Sequence, residues 1–167
     1  MHPAYGSGHS TVAGACTTIL KAYFDERSPL QPLEHRPPGG GAARFFEVRE
    51  AINNGCNTQQ HGGMTLNQLT VRDEVDKLAS NVGTGRMCAG VHWRTDHIYS
   101  LLLGEMVAVS LLIDQALTFS EEHYFEFTTF LGEQIRITRL GIGRRGASGR
   151  SSVSLCDDTL GTLIGCL

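Results

Sequence analysis

Residues suited to oxyanion chemistry fall in two short segments of this 167-residue chain. The first is Ser7-Gly8-His9, at the start of a run with helical spacing. A helix N-terminus offers amide N–H groups without partners inside the helix, together with the positive end of its dipole, and so suits a tetrahedral oxyanion. Gly8 lets the backbone approach such an anion, Ser7 adds a hydroxyl and His9 a proton donor. Taken alone, the tripeptide is a weak motif and more often marks only a helix cap. The second segment holds Arg86, His92 and Asp96. Arg86 can fork to two oxyanion oxygens. His92 suits a nucleophile or a metal ligand, and Asp96 stands where a carboxylate holds one ring nitrogen so that the other points at a site. The bland alternative makes Arg86 and Asp96 surface charges and His92 a satisfied core histidine. The apolar, glycine-containing run Met87-Cys88-Ala89-Gly90-Val91 before His92 counts against it.

Several elements must position these groups. Val12, Cys16, Ile19, Leu20 and Tyr23 recur at three-to-four spacing, which predicts a helix over 10–24 capped by Ser10 or Thr11. Residues 25–67 are rich in Pro, Gly, Asn and Gln and read as a long loop or insertion with a short helix around 43–52. Thr70 and Asp73 have the spacing of a capping box that opens a second helix with Val71, Val75, Leu78 and Val82 on its apolar face. A turn is expected to interrupt it at Gly83–Gly85. Residues 95–117 predict a long helix capped by Thr95 or Asp96 and apolar on nearly all sides, hence central in a bundle. Alternation over 123–128 and again over 134–138 predicts a β-hairpin. Residues 138–167 show no period and read as a disordered tail. The fold class is therefore mainly α, a helical bundle with a small C-terminal β-hairpin.

Composition excludes some roles. A net charge of −3 without a long basic run gives no case for nucleic acid. The apolar stretch 101–113 contains Glu105 and is short for a bilayer span. Residues 1–15 lack the basic start and apolar core of a signal peptide. The five cysteines form no CxxC pair, so neither zinc nor a disulfide framework is indicated, and Cys16 and Cys88 read as buried thiols. Trp93 reads as packing against the site, and His97 as facing solvent at a helix start. His35, His61 and His123 read as histidines without companion ligands. Glu105 fits either an arginine pair or a subunit contact.

The two segments in this order resemble the second and third signatures of the superfamily joining vanadium haloperoxidases with type 2 acid and lipid phosphatases. More narrowly, residues 2–9, HisProAlaTyrGlySerGlyHis, with ValAlaGlyAlaCys, GlyArgMetCysAlaGlyValHis and SerLeuLeuLeuGlyGlu, resemble the red-algal and cyanobacterial bromoperoxidases. The likeness covers 2–24 and about 68–137, giving an active-site portion over 1–137, a loosely corresponding 25–67 and an unmatched 138–167. It implies vanadate as cofactor, bound by His92 with Asp96 behind it. Ser7, the Gly8 amide and Arg86 would hold its oxygens, His9 would be the acid–base group, and His2 would tune halide oxidation. It implies hydrogen peroxide, bromide and an organic acceptor as reaction partners, and a homo-oligomeric parent without a membrane.

One departure is visible. The family's first signature, a lysine followed by an arginine-proline, is expected upstream of His2, and Arg36-Pro37 stands in the wrong order to supply it. The missing N-terminal portion would contribute two cations. At about 1.5–3 kcal/mol each, their loss weakens vanadate binding by roughly two to four powers of ten, and apolar faces of the long helix are expected to be left uncovered. The alternatives are a phosphatase with His92 as nucleophile and an inactive truncated remnant.

Overall fold

A computed structural model describes residues 4–31, 34–35, 44–45, 47–145 and 151–154. The chain divides into two compact units, Glu26–Glu74 and the remainder.

In the larger unit, α1 spans Gly8–Tyr23, α2 ends at Cys88 after beginning at Val71, and α3 spans Arg94–Thr118. The α1–α3 contact is made by small residues. A β-carbon at Gly14 would collide with the Leu101 carbonyl, and one at Gly104 with the Thr11 carbonyl, so the two backbones approach as closely as side chains permit. This overturns the expected face of α1. Ser10, Gly14, Thr17, Thr18 and Lys21 are buried, whereas Val12, Leu20 and Tyr23 are exposed. Thr17 and Thr18 make the inward polar face tolerable by bonding the Ala13 and Gly14 carbonyls at 2.8 Å. On α2 the expected Val71, Val75 and Val82 are half-buried and Leu78 is exposed, while Ala79 and Gly83 are the buried residues.

The α2 helix runs without interruption through Gly83–Gly85, against expectation. It ends instead at Gly90, which takes φ +71° while its N–H bonds the Met87 carbonyl and that of Val91 bonds the Arg86 carbonyl. This is a Schellman end, and glycine supplies the left-handed residue that it needs. The α3 helix meets the length and hydropathy test for a membrane span. Asp96, His97, Ser100 and Glu105 are nonetheless buried along it, while Leu103, Val107 and Leu111 are exposed apolar side chains, as expected of an uncovered face.

The hydrophobic core lies under the second half of α3. Val109, Leu112 and Ala116 pack with Phe125, Phe127, Ile135, Ile137 and Ile142. The last five of these belong to a four-stranded antiparallel sheet.

The smaller unit contains β1 (Glu34–His35) paired with β2 (Arg44–Phe45), and β3 (Arg49–Ile52) paired antiparallel with β4 (Asn57–Gln60). The helix expected around 43–52 is absent among the described residues. Asn53, Asn54 and Gly55 all take positive φ and reverse the chain, so Arg49–Ile52 pairs as a strand. The ends of this unit are tied by Leu30 N–H to the Leu69 carbonyl at 2.8 Å and Arg72 N–H to the Glu26 carbonyl at 2.9 Å. The Thr70–Asp73 capping box forms as expected: Asp73 accepts from the Thr70 N–H at 2.9 Å, and Asp73 N–H donates to the Thr70 hydroxyl at 3.3 Å.

Back in the larger unit, β5 (Tyr124–Thr128) and β6 (Gln134–Thr138) form the expected hairpin. Gly132, at φ +84°, closes its turn. Two strands within the segment read as a tail extend it, β7 (Gly141–Arg145) and β8 (Ser151–Ser154), in the order β5-β6-β7-β8. Ile142 of β7 is buried opposite Ile137, so at least this part of the segment belongs to the core.

Candidate active site

His92, Ser7 and the start of α1 meet at the short strap 4–7. The His92 ring is buried, and its Nδ1 donates to the Ala4 carbonyl at 2.6 Å. Three residues on, the Ser7 N–H donates to the Ser100 hydroxyl at 2.8 Å, and α1 begins at Gly8. One strap thus joins the histidine, the start of α1 and the first turns of α3. The Arg86 carbonyl accepts from the Val91 N–H at the Schellman end of α2, one residue before His92.

A carbonyl oxygen only accepts, so His92 carries its proton on Nδ1, and the neutral ring has its lone pair on Nε2. That is the state required of a ligand nitrogen. The sequence assigned this anchoring to Asp96. The structure places Asp96 Oδ2 3.8 Å from His92 Nδ1, beyond hydrogen-bond reach, and 2.8 Å from the Trp93 N–H. Asp96 caps α3 from its third position, so Trp93 rather than Thr95 or Asp96 is the residue preceding the helix. Trp93 itself is exposed, against the expectation that it packs on the site.

Ser7 is fully buried, and its hydroxyl pairs with that of Ser10 at 2.9 Å instead of facing outward. Gly8 and His9 are exposed on the first turn. Ser7 rather than Ser10 or Thr11 is the N-cap, and it makes no side-chain cap bond. The first-turn amides are therefore left to another acceptor, and no acidic residue lies in that turn to compete for them. Arg86 is half-buried, and its Nε is sealed from solvent with no hydrogen-bond partner among the described residues. His2 lies outside the described residues.

Sequence reasoning missed two features. His97, expected to face solvent, is buried with Nδ1 2.8 Å from the Ser10 hydroxyl. Its placement at i+5 from His92 carries no local signal of burial. Lys21 is fully buried 3.0 Å from Asp76, 3.9 Å from Glu105 and 2.9 Å from the Thr128 carbonyl, with its ammonium over the Phe130 ring. Glu105 thus pairs with a lysine, where an arginine or a subunit contact had been expected. Burial pushes its carboxyl up to about 7, opposed by the Phe130 N–H and Lys21. Cys16 and Cys88, read as buried, are exposed. No group of three or more candidate metal-binding His, Cys, Asp or Glu side chains occurs among the described residues. A single protein histidine with oxyanion donors is a different kind of site.

Among the described residues, three α-helices with an antiparallel sheet packed on α3 place the chain among helical bundles. The chain belongs to the family described as VCPO second helical-bundle domain, whose model matches residues 1–119. The vanadium-dependent bromoperoxidase of Corallina pilulifera is 41% identical over 136 residues, which is 81% of this chain and 20% of that protein. That of Ascophyllum nodosum is 37% identical over 142 residues, 84% of this chain and 22% of that protein. The homohexameric structure of the second vanadate-dependent bromoperoxidase of Ascophyllum nodosum matches 92% of this chain and 27% of that one. Its TM-score is 0.65 at 23% identity, a likeness of fold. The chain thus spans about a fifth of the length of the curated relatives that it matches.

Three observations fit vanadate. His92 Nδ1 is anchored on the Ala4 carbonyl, the α1 amides lack a side-chain cap, and Arg86 Nε is buried without a hydrogen-bond partner among the described residues. The Ser7 hydroxyl pairs with that of Ser10, and either oxygen can be the donor in that bond.

Proposed function

We propose that this chain carries the histidine side of the vanadate site of a bromoperoxidase, an enzyme that oxidises bromide with hydrogen peroxide to a hypobromous-acid equivalent, which halogenates an organic acceptor. The observation that supports it most is the strap 4–7, which anchors His92 through the Ala4 carbonyl and opens α1 directly after Ser7. When bound, vanadate supplies a Lewis acid that polarises peroxide. His92 binds it through Nε2. The Ser7 hydroxyl, the Gly8 amide and Arg86 would hold its oxygens. His9, exposed on the first turn of α1, gives and takes the proton at an imidazole nitrogen. Asp96 caps α3 and so fixes the backbone from which His92 departs. His2 tunes halide oxidation. Remaining cations come from a further portion of a longer protein, and that protein is homo-oligomeric, as its structural relative is.

The test is dye bromination by the chain with bromide and peroxide, titrated with orthovanadate, alone and with the complementing N-terminal portion of a bromoperoxidase relative. Saturable activity that is lost on His92→Ala supports the reading. A folded complex without vanadate-dependent bromination overturns it. Para-nitrophenyl phosphate hydrolysis lost in the same variant would assign the site to phosphatase chemistry.

A further inference from the structure

His97 sits where three helices meet. Its Nδ1 lies 2.8 Å from the Ser10 hydroxyl on α1, and Ser10 lies 2.9 Å from the Ser7 hydroxyl. On the other side Gly83 of α2 touches the ring so closely that a β-carbon there would overlap Nδ1 and Cε1. All three hydrogen-bonding side chains are buried. The main chain of Ser7 is already committed, its N–H to Ser100 and its carbonyl to the Thr11 N–H at 2.9 Å. Its hydroxyl proton is the group that can still be redirected.

This line of three groups has two possible polarities. In one, His97 Nδ1–H donates to Ser10, Ser10 donates to Ser7, and the Ser7 proton is released toward the start of α1. In the other, Ser7 donates to Ser10, Ser10 donates to the Nδ1 lone pair, and the ring proton sits on Nε2. In the first the chain of donors ends on a Ser7 proton free for an acceptor, and in the second it ends on the His97 ring. An oxyanion only accepts hydrogen bonds, so its presence at the α1 start selects the first. Burial pushes the His97 ring below its usual range, which keeps it neutral and makes the choice one between tautomers.

We infer that His97 is a positioning residue for the anion face of α1, acting through Ser10 on Ser7 and donating from Nδ1 when an oxyanion is bound. This rests on the vanadate site proposed above and adds to it a residue that reaches the anion only through others. Because coupling is reciprocal, a side chain at 97 unable to donate weakens oxyanion binding.

The experiment is long-range proton–nitrogen spectroscopy of the labelled chain with and without orthovanadate, joined to vanadate titrations of wild type, His97→Asn and His97→Leu. Asn keeps a donor at the δ position, whereas Leu keeps only bulk. The expected result is an Nδ1–H ring with vanadate bound, with a dissociation constant roughly three- to tenfold weaker in the Leu variant and largely restored in the Asn variant. Bound vanadate with an Nε2–H ring overturns the inference and leaves the site reading intact. So does equal weakening in both variants, since loss of packing alone would do that. Failure of the folded wild type to take up vanadate even with its N-terminal complement overturns both.

Discussion

Gly83 of α2 lies against the His97 ring of α3, with no room between them for a β-carbon. Alanine at a helix interior is ordinarily favoured over glycine by about 1 kcal/mol. Here the contact reverses the sign. Gly83→Ala is expected to destabilise by about 1–3 kcal/mol, the usual cost of overpacking. Urea unfolding of the two chains measures it, and a more stable variant would mean that the ring moves aside freely.

Glu105 governs a pH dependence of stability. Its folded carboxyl titrates at about 7 against an ordinary 4.5. Between those values the folded state holds the proton more tightly than the unfolded state, so stability falls as pH rises through this window. The span corresponds to on the order of 3 kcal/mol, complete above pH 7 and absent below 4.5. Glu105→Gln keeps an acceptor for the Phe130 N–H and should flatten that segment of the pH–stability curve. An unchanged slope would place the titration elsewhere.

Phe127 is fully buried where β5 meets α3. Phe127→Ala should cost about 3–5 kcal/mol, read as a lower denaturation midpoint with an unchanged slope.

Arg86 separates stability from binding. Its buried Nε lacks a hydrogen-bond partner among the described residues. Leaving such a donor unmet costs about 1–3 kcal/mol, so Arg86→Met should leave folding stability unchanged or raise it. Vanadate affinity should meanwhile fall roughly ten- to a hundredfold, as for one charge-assisted hydrogen bond. Paired calorimetric and vanadate titrations check both halves, and loss of stability with intact affinity would contradict the assignment.

Much of the local structure was legible from residue order alone. The α3 helix, the β5–β6 hairpin and the Thr70–Asp73 cap depend on periodicity and on partners close in sequence, and each formed nearly where expected. Both oxyanion segments could be found for the same reason, because glycine at a helix start and the run from Arg86 to His92 are local patterns.

Which face each helix buries was decided only by tertiary contact. The stripe of Val12, Leu20 and Tyr23 marks α1 as amphipathic, yet Gly14 and Gly104 let α1 and α3 approach backbone to backbone, which turns Ser10, Thr18 and Lys21 inward. That rotation buries Ser7 against Ser10 and brings Ser10 to His97, 87 residues away. Likewise Asp96 was expected to hold His92, but the Ala4 carbonyl, 88 residues distant, takes Nδ1 while Asp96 caps its own helix. Periodicity reports how a helix is patterned. The closest approach of its small residues to a neighbour determines which side is covered, and with it which hydrogen bonds a histidine finds.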